Sequence, residues 1–207
     1  MAGKSRRPSR LLQGIERVLI VTAVAATSYY ATMQVYAARE QTALSRDLEA
    51  ARTEGPRAET SPAPVAPTTS PRPLLPARAV VARIEVPRLR MSAIAREGVD
   101  VRTLRGSVGH VPGTALPGES GNSAFAAHRD TFFRSLEGIR SGDAIVVTTA
   151  DGVHRYTVVG TRIVEPTEVS VLRSTDQSQL TLVTCYPFNY VGSAPQRFIV
   201  QAVLVRS

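Results

Sequence analysis

From residue 79 to the C-terminus, the sequence is a series of short apolar and β-branched runs separated by turn residues. Seven of these runs have the length and composition of β-strands, namely residues 80–86, 91–95, 122–127, 144–149, 153–164, 180–184 and 197–205. Asp151-Gly152, between two of them, is a strong signal for a hairpin turn. Short strands at regular spacing indicate an all-β sandwich or barrel, with short helices expected at residues 100–106 and 166–173.

The N-terminal residues predict a membrane anchor. Residues 1–17 are polar and basic, and residues 18–38 are a run of 21 residues without a charged side chain. A helix of that length crosses a hydrocarbon core of roughly 30 Å. The positive charge in front of the run predicts that the N-terminus is cytoplasmic and that the rest lies outside the membrane. A cleavable signal peptide is the alternative, although its apolar region would be only about 7–15 residues long.

Residues 39–77 read as a connection between this anchor and the β-rich domain. Residues 39–52 are rich in charged side chains and could extend the helix out of the membrane as a short stalk. Residues 54–76 contain seven of the fourteen prolines. Such a proline-rich segment favours extended conformations and serves as a semi-rigid spacer. A docking ligand for a partner protein is the functional alternative. The predicted organisation is thus a basic tail at 1–17, an anchor at 18–38, a stalk and linker at 39–77 and a β-rich domain at 78–207.

The composition excludes several classes of function. The formal charge of +8 is spread evenly, with 10 basic and 6 acidic residues in 1–77 (net +4) and 15 and 11 in 78–207 (also net +4). The domain has no dense basic stripe with interleaved aromatic residues, so nucleic-acid binding is not predicted. A single cysteine excludes an intramolecular disulfide and a multi-cysteine metal site. The three histidines lack His-x-x-x-His spacing, which argues against a zinc site.

Three reactive residue types lie at predicted strand ends. Cys185 ends an apolar run just before Pro187, His128 follows the run 123–127, and Arg197 opens the last strand, twelve residues after the cysteine (197 − 185). A free cysteine is commonly a small buried hydrophobe. A thiolate near a cation is instead a nucleophile, a histidine can protonate a leaving amine, and an arginine can stabilise an oxyanion.

These segments carry a resemblance to a known family. Thr-Leu-Val-Thr-Cys185 followed by Arg197, with His128 in Ala-Ala-His-Arg-Asp-Thr-Phe-Phe, resembles the sortases, which are membrane-anchored cysteine transpeptidases of bacterial cell surfaces. Cys-Tyr-Pro-Phe and the segment Gly-His-Val-Pro-Gly-Thr-Ala at 109–115 are most similar to the class D branch. The resemblance covers about residues 79–205, and it implies a closed eight-stranded β-barrel with a groove for a sorting signal.

The resemblance also implies a function and its site. Cys185 would be the nucleophile, His128 the acid and base, and Arg197 the group that positions the peptide and stabilises the oxyanion, with Thr184 as a further candidate for the oxyanion region. The implied partners are secreted proteins with a C-terminal sorting signal and an amine acceptor on the cell surface. The chemistry needs no metal or organic cofactor, and the implied location is the bacterial cytoplasmic membrane with the domain outside.

Two alternatives stay open at this point. A cysteine hydrolase would use the same residues but let water resolve the thioester, and a non-catalytic tethered β-domain would need none of them. His110 is expected to be loop structure rather than chemistry, and His154 is expected to be structural. Asp130 could orient His128, as the third member of a catalytic triad does, but sortases resemble a Cys–His–Arg arrangement, so Asp130 is not in the predicted core set.

Overall fold

The computed structural model describes residues 10–53 and 75–205, which form two compact units, one ending at Arg39 and the other beginning at Glu40. The predicted tail up to residue 9 and the predicted proline-rich linker at 54–74 lie outside the described residues. A single helix, α1 (Arg10–Thr53), contains both the predicted anchor at 18–38 and the predicted stalk at 39–52. No helix within residues 10–53 and 75–205 is long and apolar enough to cross a membrane.

The membrane-spanning helix expected at residues 18–38 is therefore not found among the described helices. The run is helical and uncharged, but polar side chains interrupt it. Thr22, Thr27 and Thr32 are exposed and donate their hydroxyl groups to backbone carbonyls one turn back. These hydroxyl groups are hydrogen-bonded to the helix's own backbone. They nevertheless make the helix surface less apolar than the absence of charged residues alone would indicate.

The second unit is built on a closed barrel of eight strands, as the resemblance implied. In chain order these are β1 (Val80–Val86), β2 (Met91–Glu97), β3 (Val108–His110), β4 (Asn122–Ala126), β5 (Ala144–Thr148), β6 (Val153–Val164), β7 (Gln179–Tyr186) and β8 (Gln196–Leu204). Around the barrel they follow the order β1-β2-β3-β4-β7-β8-β6-β5. The pairings β2–β3 and β4–β7 are parallel and the others are antiparallel.

Four short helices lie between the strands in the described part of the chain, and two of them fall in the predicted segments 100–106 and 166–173. A second α-helix, α2 (Val101–Gly106), starts after Asp100, whose carboxylate accepts hydrogen bonds from two backbone amides of the first turn. Three 3-10 helices span Pro87–Leu89, Arg134–Gly138 and Val169–Leu172. The last of these lies inside the predicted helical segment 166–173.

The strand β3 is the element that the hydrophobic pattern did not predict. It has only three residues, pairs with both β2 and β4, and is completely buried. A Cβ on Gly109 would come within 2.3 Å of the Gly98 carbonyl oxygen, so the close approach of the two backbones requires glycine. A strand this short, with glycine at its centre, has too few side chains to show a period of two.

The C-terminal part of α1 belongs to the barrel unit. Leu48 is buried against Ile94, and the Gln41 side chain accepts a hydrogen bond from the Ile94 amide (2.5 Å) while donating to the Gly106 carbonyl (2.8 Å). The Gln41 carboxamide thus joins the backbone of β2 to that of the last residue of α2. The end of the predicted stalk is therefore packed on the barrel rather than standing free.

Candidate active site

The sheet topology brings the three predicted site residues to one rim of the barrel. The strands β4 and β7 run parallel, with Ala126 opposite Val183, so their C-terminal ends meet at the same edge. Extending that register by two residues puts His128 level with Cys185. The strand β8 runs antiparallel to β7 and places Arg197 directly opposite Cys185.

The exposure of these side chains differs in a way that suits a groove. Cys185 is a free thiol and is half-buried, Arg197 is also half-buried, and His128 is exposed. The thiol is therefore held by the sheet yet is open on one side. A nucleophile with this placement can meet an extended peptide laid across the rim, because the strand fixes its backbone while the side chain reaches the surface.

The Arg197 side chain is oriented by backbone carbonyl groups at the start of β8 and just before it. Its Nη1 donates to the carbonyl oxygens of Ala194 (3.2 Å) and Gln196 (3.0 Å). No partner for its Nε or Nη2 is found in the described part of the chain. The guanidinium is thus anchored through one nitrogen, and the remaining donors are available to a carbonyl or an oxyanion.

Thr184 occupies a different position from the one expected of an oxyanion residue. It is 2% exposed, and its hydroxyl donates to the carbonyl oxygen of Ala127 at 2.8 Å. Neighbouring residues of a strand point to opposite faces, so the Thr184 side chain is directed away from the face that carries the Cys185 thiol. The hydroxyl joins β7 to the backbone immediately before His128, and in this arrangement it is not available to an oxyanion.

An aromatic cluster supports the strand ends behind the thiol. Phe188, just after the cis Tyr186-Pro187 peptide, is buried, and its ring lies 6.1 Å from that of Tyr186 and 5.2 Å from that of Phe198, centroid to centroid. The rings of Tyr186 and Phe198 are stacked at 6.3 Å. These contacts fix the first part of the loop 187–195, which connects Cys185 to Arg197.

Two arginines that the sequence analysis did not single out hold the rest of that loop. Arg129, directly after His128, donates through Nη2 to the carbonyls of Tyr190 and Gly192. Arg134 donates to the Phe188 carbonyl and to the Asn189 side chain. The only sequence signal for this role was that both arginines follow the histidine within a few residues. Their partners lie more than fifty residues away, and a local pattern does not predict such contacts.

His110 is a buried strand residue rather than part of a loop. It lies in β3 with 2% of its surface exposed, and its Nδ1 is 2.6 Å from Oε2 of the buried Glu97. Its Nε2 contacts the Ala115 carbonyl and the hydroxyl of Thr114. That hydroxyl donates to the Val111 carbonyl, so towards His110 it acts as an acceptor and Nε2 carries the proton. The group ties β2 and β3 to the loop that leads to β4.

The other two residues considered from the sequence lie apart from this network. His154 packs closely on Gly118, where a Cβ would meet its ring at 2.2 Å, which agrees with a structural role. Asp130 is exposed in the turn after His128. Within residues 10–53 and 75–205 no group of three or more His, Cys, Asp or Glu side chains could hold a metal ion.

Comparison with known proteins gives this arrangement a family. Residues 84–205 match the family model described as the sortase domain. The chain is 35% identical over 118 residues to Sortase D of Bacillus subtilis (strain 168), which covers 56% of this chain and 60% of that protein. It is 31% identical over 111 residues to Sortase A of Listeria monocytogenes serovar 1/2a, covering 52% and 50%. The chain thus spans about half to three-fifths of the length of these two relatives.

A solved structure extends the similarity to the fold. A Sortase D5 transpeptidase of Clostridium perfringens matches with a TM-score of 0.57 and 29% identity, covering 61% of this chain and 79% of the other. The similarity to class D proteins in both comparisons agrees with the motifs at residues 109–115 and after Cys185. Because the family model matches more than half of the chain, the resemblance is confirmed: this chain belongs to the sortase family.

Proposed function

We propose that the protein is a cysteine transpeptidase that cleaves a sorting signal in secreted proteins and transfers the acyl group to an amine at the cell surface. The observation that carries this proposal is the pairing of Cys185 with Arg197 across β7 and β8, with His128 two residues beyond the end of β4, at the edge where β7 also ends. Nucleophile, oxyanion donor and proton donor then share one rim, which is the minimum an acyl transfer needs.

The first half of the reaction forms a thioester. The Cys185 thiolate attacks the scissile carbonyl, and the negative charge that develops on the oxygen is stabilised by the free donors of Arg197. His128, as the imidazolium, gives its proton to the departing amine as the C–N bond breaks. The products of this half are a thioacyl enzyme, a free amine and a neutral imidazole.

The second half transfers the acyl group. The amine acceptor attacks the thioester carbonyl, and neutral His128 accepts the proton that the amine loses. Collapse of the second tetrahedral intermediate breaks the C–S bond and restores the thiolate. Attack by water at this step would make the protein a hydrolase, so the fate of the thioester separates these two activities.

The proposal also includes a location for the protein. We place the domain outside the cytoplasmic membrane, held there through residues 18–38, whose support is the long uncharged run behind a basic tail. Val18, Leu19 and Val21 on this part of α1 are each more than half exposed, as an element that meets an apolar phase would be. Fractionation of cells that express the full chain tests the attachment, and recovery of the protein in the soluble fraction would count against it.

The activity is tested with the purified full-length protein, a panel of LPxTG-type and LPNTA-type peptides, and diglycine as the amine. We expect a ligated peptide by mass spectrometry and none with Cys185→Ala. Ser193→Ala, in the exposed part of the same loop, is the matched control and should ligate like the wild type. Cleavage by water alone at high amine would favour the hydrolase, and an inert thiol would favour a non-catalytic domain.

A further inference from the structure

The loop 187–195 lies between Cys185 and Arg197, and arginine side chains provide most of the hydrogen bonds found for it. Arg134 holds Phe188 and Asn189, Arg129 holds Tyr190 and Gly192, and Arg197 holds Ala194. In the described part of the chain, no hydrogen bond joins the backbone of residues 187–195 to another backbone group. The conformation of this loop therefore depends on side chains that come from outside it.

The two halves of the loop are not held equally. The first half has an apolar anchor, because Phe188 is 8% exposed and packs in the aromatic cluster. The second half has none, since Tyr190 is 47% exposed and Val191 is 96% exposed. The contacts found for Tyr190 and Gly192 are those with Arg129, so this half of the loop depends mainly on one guanidinium.

The geometry of Arg129 is that of a clamp. Its Nη2 donates to the Tyr190 carbonyl at 2.6 Å and to the Gly192 carbonyl at 3.0 Å, and its guanidinium carbon lies 5.8 Å from the centroid of the Tyr190 ring. Gly192 has a φ of +103°, a backbone conformation that favours glycine. Charge-assisted donors of this kind form stronger bonds than neutral ones.

We propose that Arg129 is a positioning residue of the active site, a guanidinium clamp that couples the segment carrying His128 to the loop between Cys185 and Arg197. The inference deepens the proposed function and rests on it. Arg129 follows His128 directly in the chain, so a force on its side chain acts on the backbone that carries the imidazole. Through the carbonyls of Tyr190 and Gly192, the same side chain restrains the loop that leads into Arg197.

Lysine cannot replace arginine in this role. The planar guanidinium holds Nη2 rigidly between the two carbonyls and presents a flat face to the Tyr190 ring, whereas an ammonium is a compact point charge on a flexible stem. Arg129→Lys keeps the positive charge beside His128 but loses the two-carbonyl clamp. Because displacement of reacting groups by about 1 Å can cost on the order of a hundredfold in rate, we expect kcat to fall about ten- to a hundredfold with a smaller change in KM.

The experiment follows the loop and the chemistry in the same samples of full-length protein. Limited chymotrypsin digestion reports opening of the loop at the exposed Tyr190, and peptide ligation gives kcat and KM. The matched control is Arg88→Lys, since Arg88 also spans two groups with its fork, Asp143 and the Gly138 carbonyl, outside the loop. Thermal unfolding of each variant shows whether it is folded and how much global stability it has lost.

We expect Arg129→Lys to be cut faster at Tyr190 and to have a lower kcat, while Arg88→Lys changes neither beyond its loss of global stability. Wild-type digestion and kcat in Arg129→Lys would overturn the clamp, and faster digestion with an unchanged kcat would overturn its coupling to the chemistry. A wild type that processes no peptide would count against the proposed function. In that case, the rate of digestion at Tyr190 would still test whether Arg129 restrains the loop.

Discussion

Replacing Thr184 by valine separates a structural from a catalytic role for the residue beside the nucleophile. Valine has nearly the same shape as threonine and the same preference for strands, so the change removes the hydroxyl with little change in packing. The lost bond is the 2.8 Å contact to the Ala127 carbonyl, for which no other donor is found in the described part of the chain. Both residues are buried, at 2% and 6% exposure, so water cannot replace the donor.

The expected cost follows from this burial. A buried carbonyl left without a donor costs about 1–3 kcal/mol. For a barrel of this size, a loss of about 2 kcal/mol should lower Tm by about 6–8 °C. Because Ala127 immediately precedes His128, we also expect a fall in kcat through displacement of the imidazole.

The assay compares Thr184→Val with Thr184→Ser by thermal and urea unfolding, and then by peptide ligation. Serine keeps the hydroxyl and loses one methyl group, which should cost about 1 kcal/mol, and it should keep most of the activity. A valine variant as stable as the wild type would refute the structural role of the hydroxyl. Full stability with activity lost would instead support the oxyanion role that the sequence suggested.

Two further predictions concern buried side-chain contacts away from the rim. Arg88 hydrogen-bonds to Asp143 and holds the pKa of that carboxyl below its usual value. The stability that the Asp143 carboxylate contributes is therefore present above its unfolded-state pKa of about 3.9 and is lost as pH falls through its lower folded-state pKa. In urea unfolding, Asp143→Asn should therefore lose less stability at acid pH than the wild type does. A double-mutant cycle of Glu97→Gln and His110→Gln should give a coupling free energy above about 1 kcal/mol, since each single change alters one partner of the buried 2.6 Å contact, and additive effects would contradict this.

Most strands could be predicted from the sequence because the longer ones have strong patterns, whereas their closure into an eight-stranded barrel was implied by the family resemblance. The runs at residues 80–86 and 153–164 match β1 and β6 residue for residue, and the parallel pairing of β4 with β7 explains why His128 and Cys185 end at the same edge. β3 was missed because three residues around Gly109 carry no measurable periodicity. The assignment of those residues, and so of His110, depends on pairing partners that are distant in sequence.

The contacts that organise the rim are of the same long-range kind. No local motif distinguishes Arg129 and Arg134 from the other basic residues of the domain, and their partners lie more than fifty residues away in the chain. The Gln41 contact with Ile94 was hidden in the same way, because a polar residue on a charged helix predicts exposure rather than docking. A local sequence pattern predicts helices and strands. The contacts of these side chains form only when segments that are distant in the sequence come together in the folded barrel.

In the proposed mechanism, Cys185 attacks a peptide carbonyl and holds the acyl group as a thioester. This step is tested most directly by intact-mass spectrometry of the full-length protein incubated with a ligatable peptide in the absence of an amine acceptor. We expect a mass increase equal to the acyl fragment, located at Cys185 by digestion, released by hydroxylamine and absent from Cys185→Ala. An unmodified Cys185 in a sample that nevertheless cleaves the peptide would contradict it, because the bond would then be broken without the covalent step.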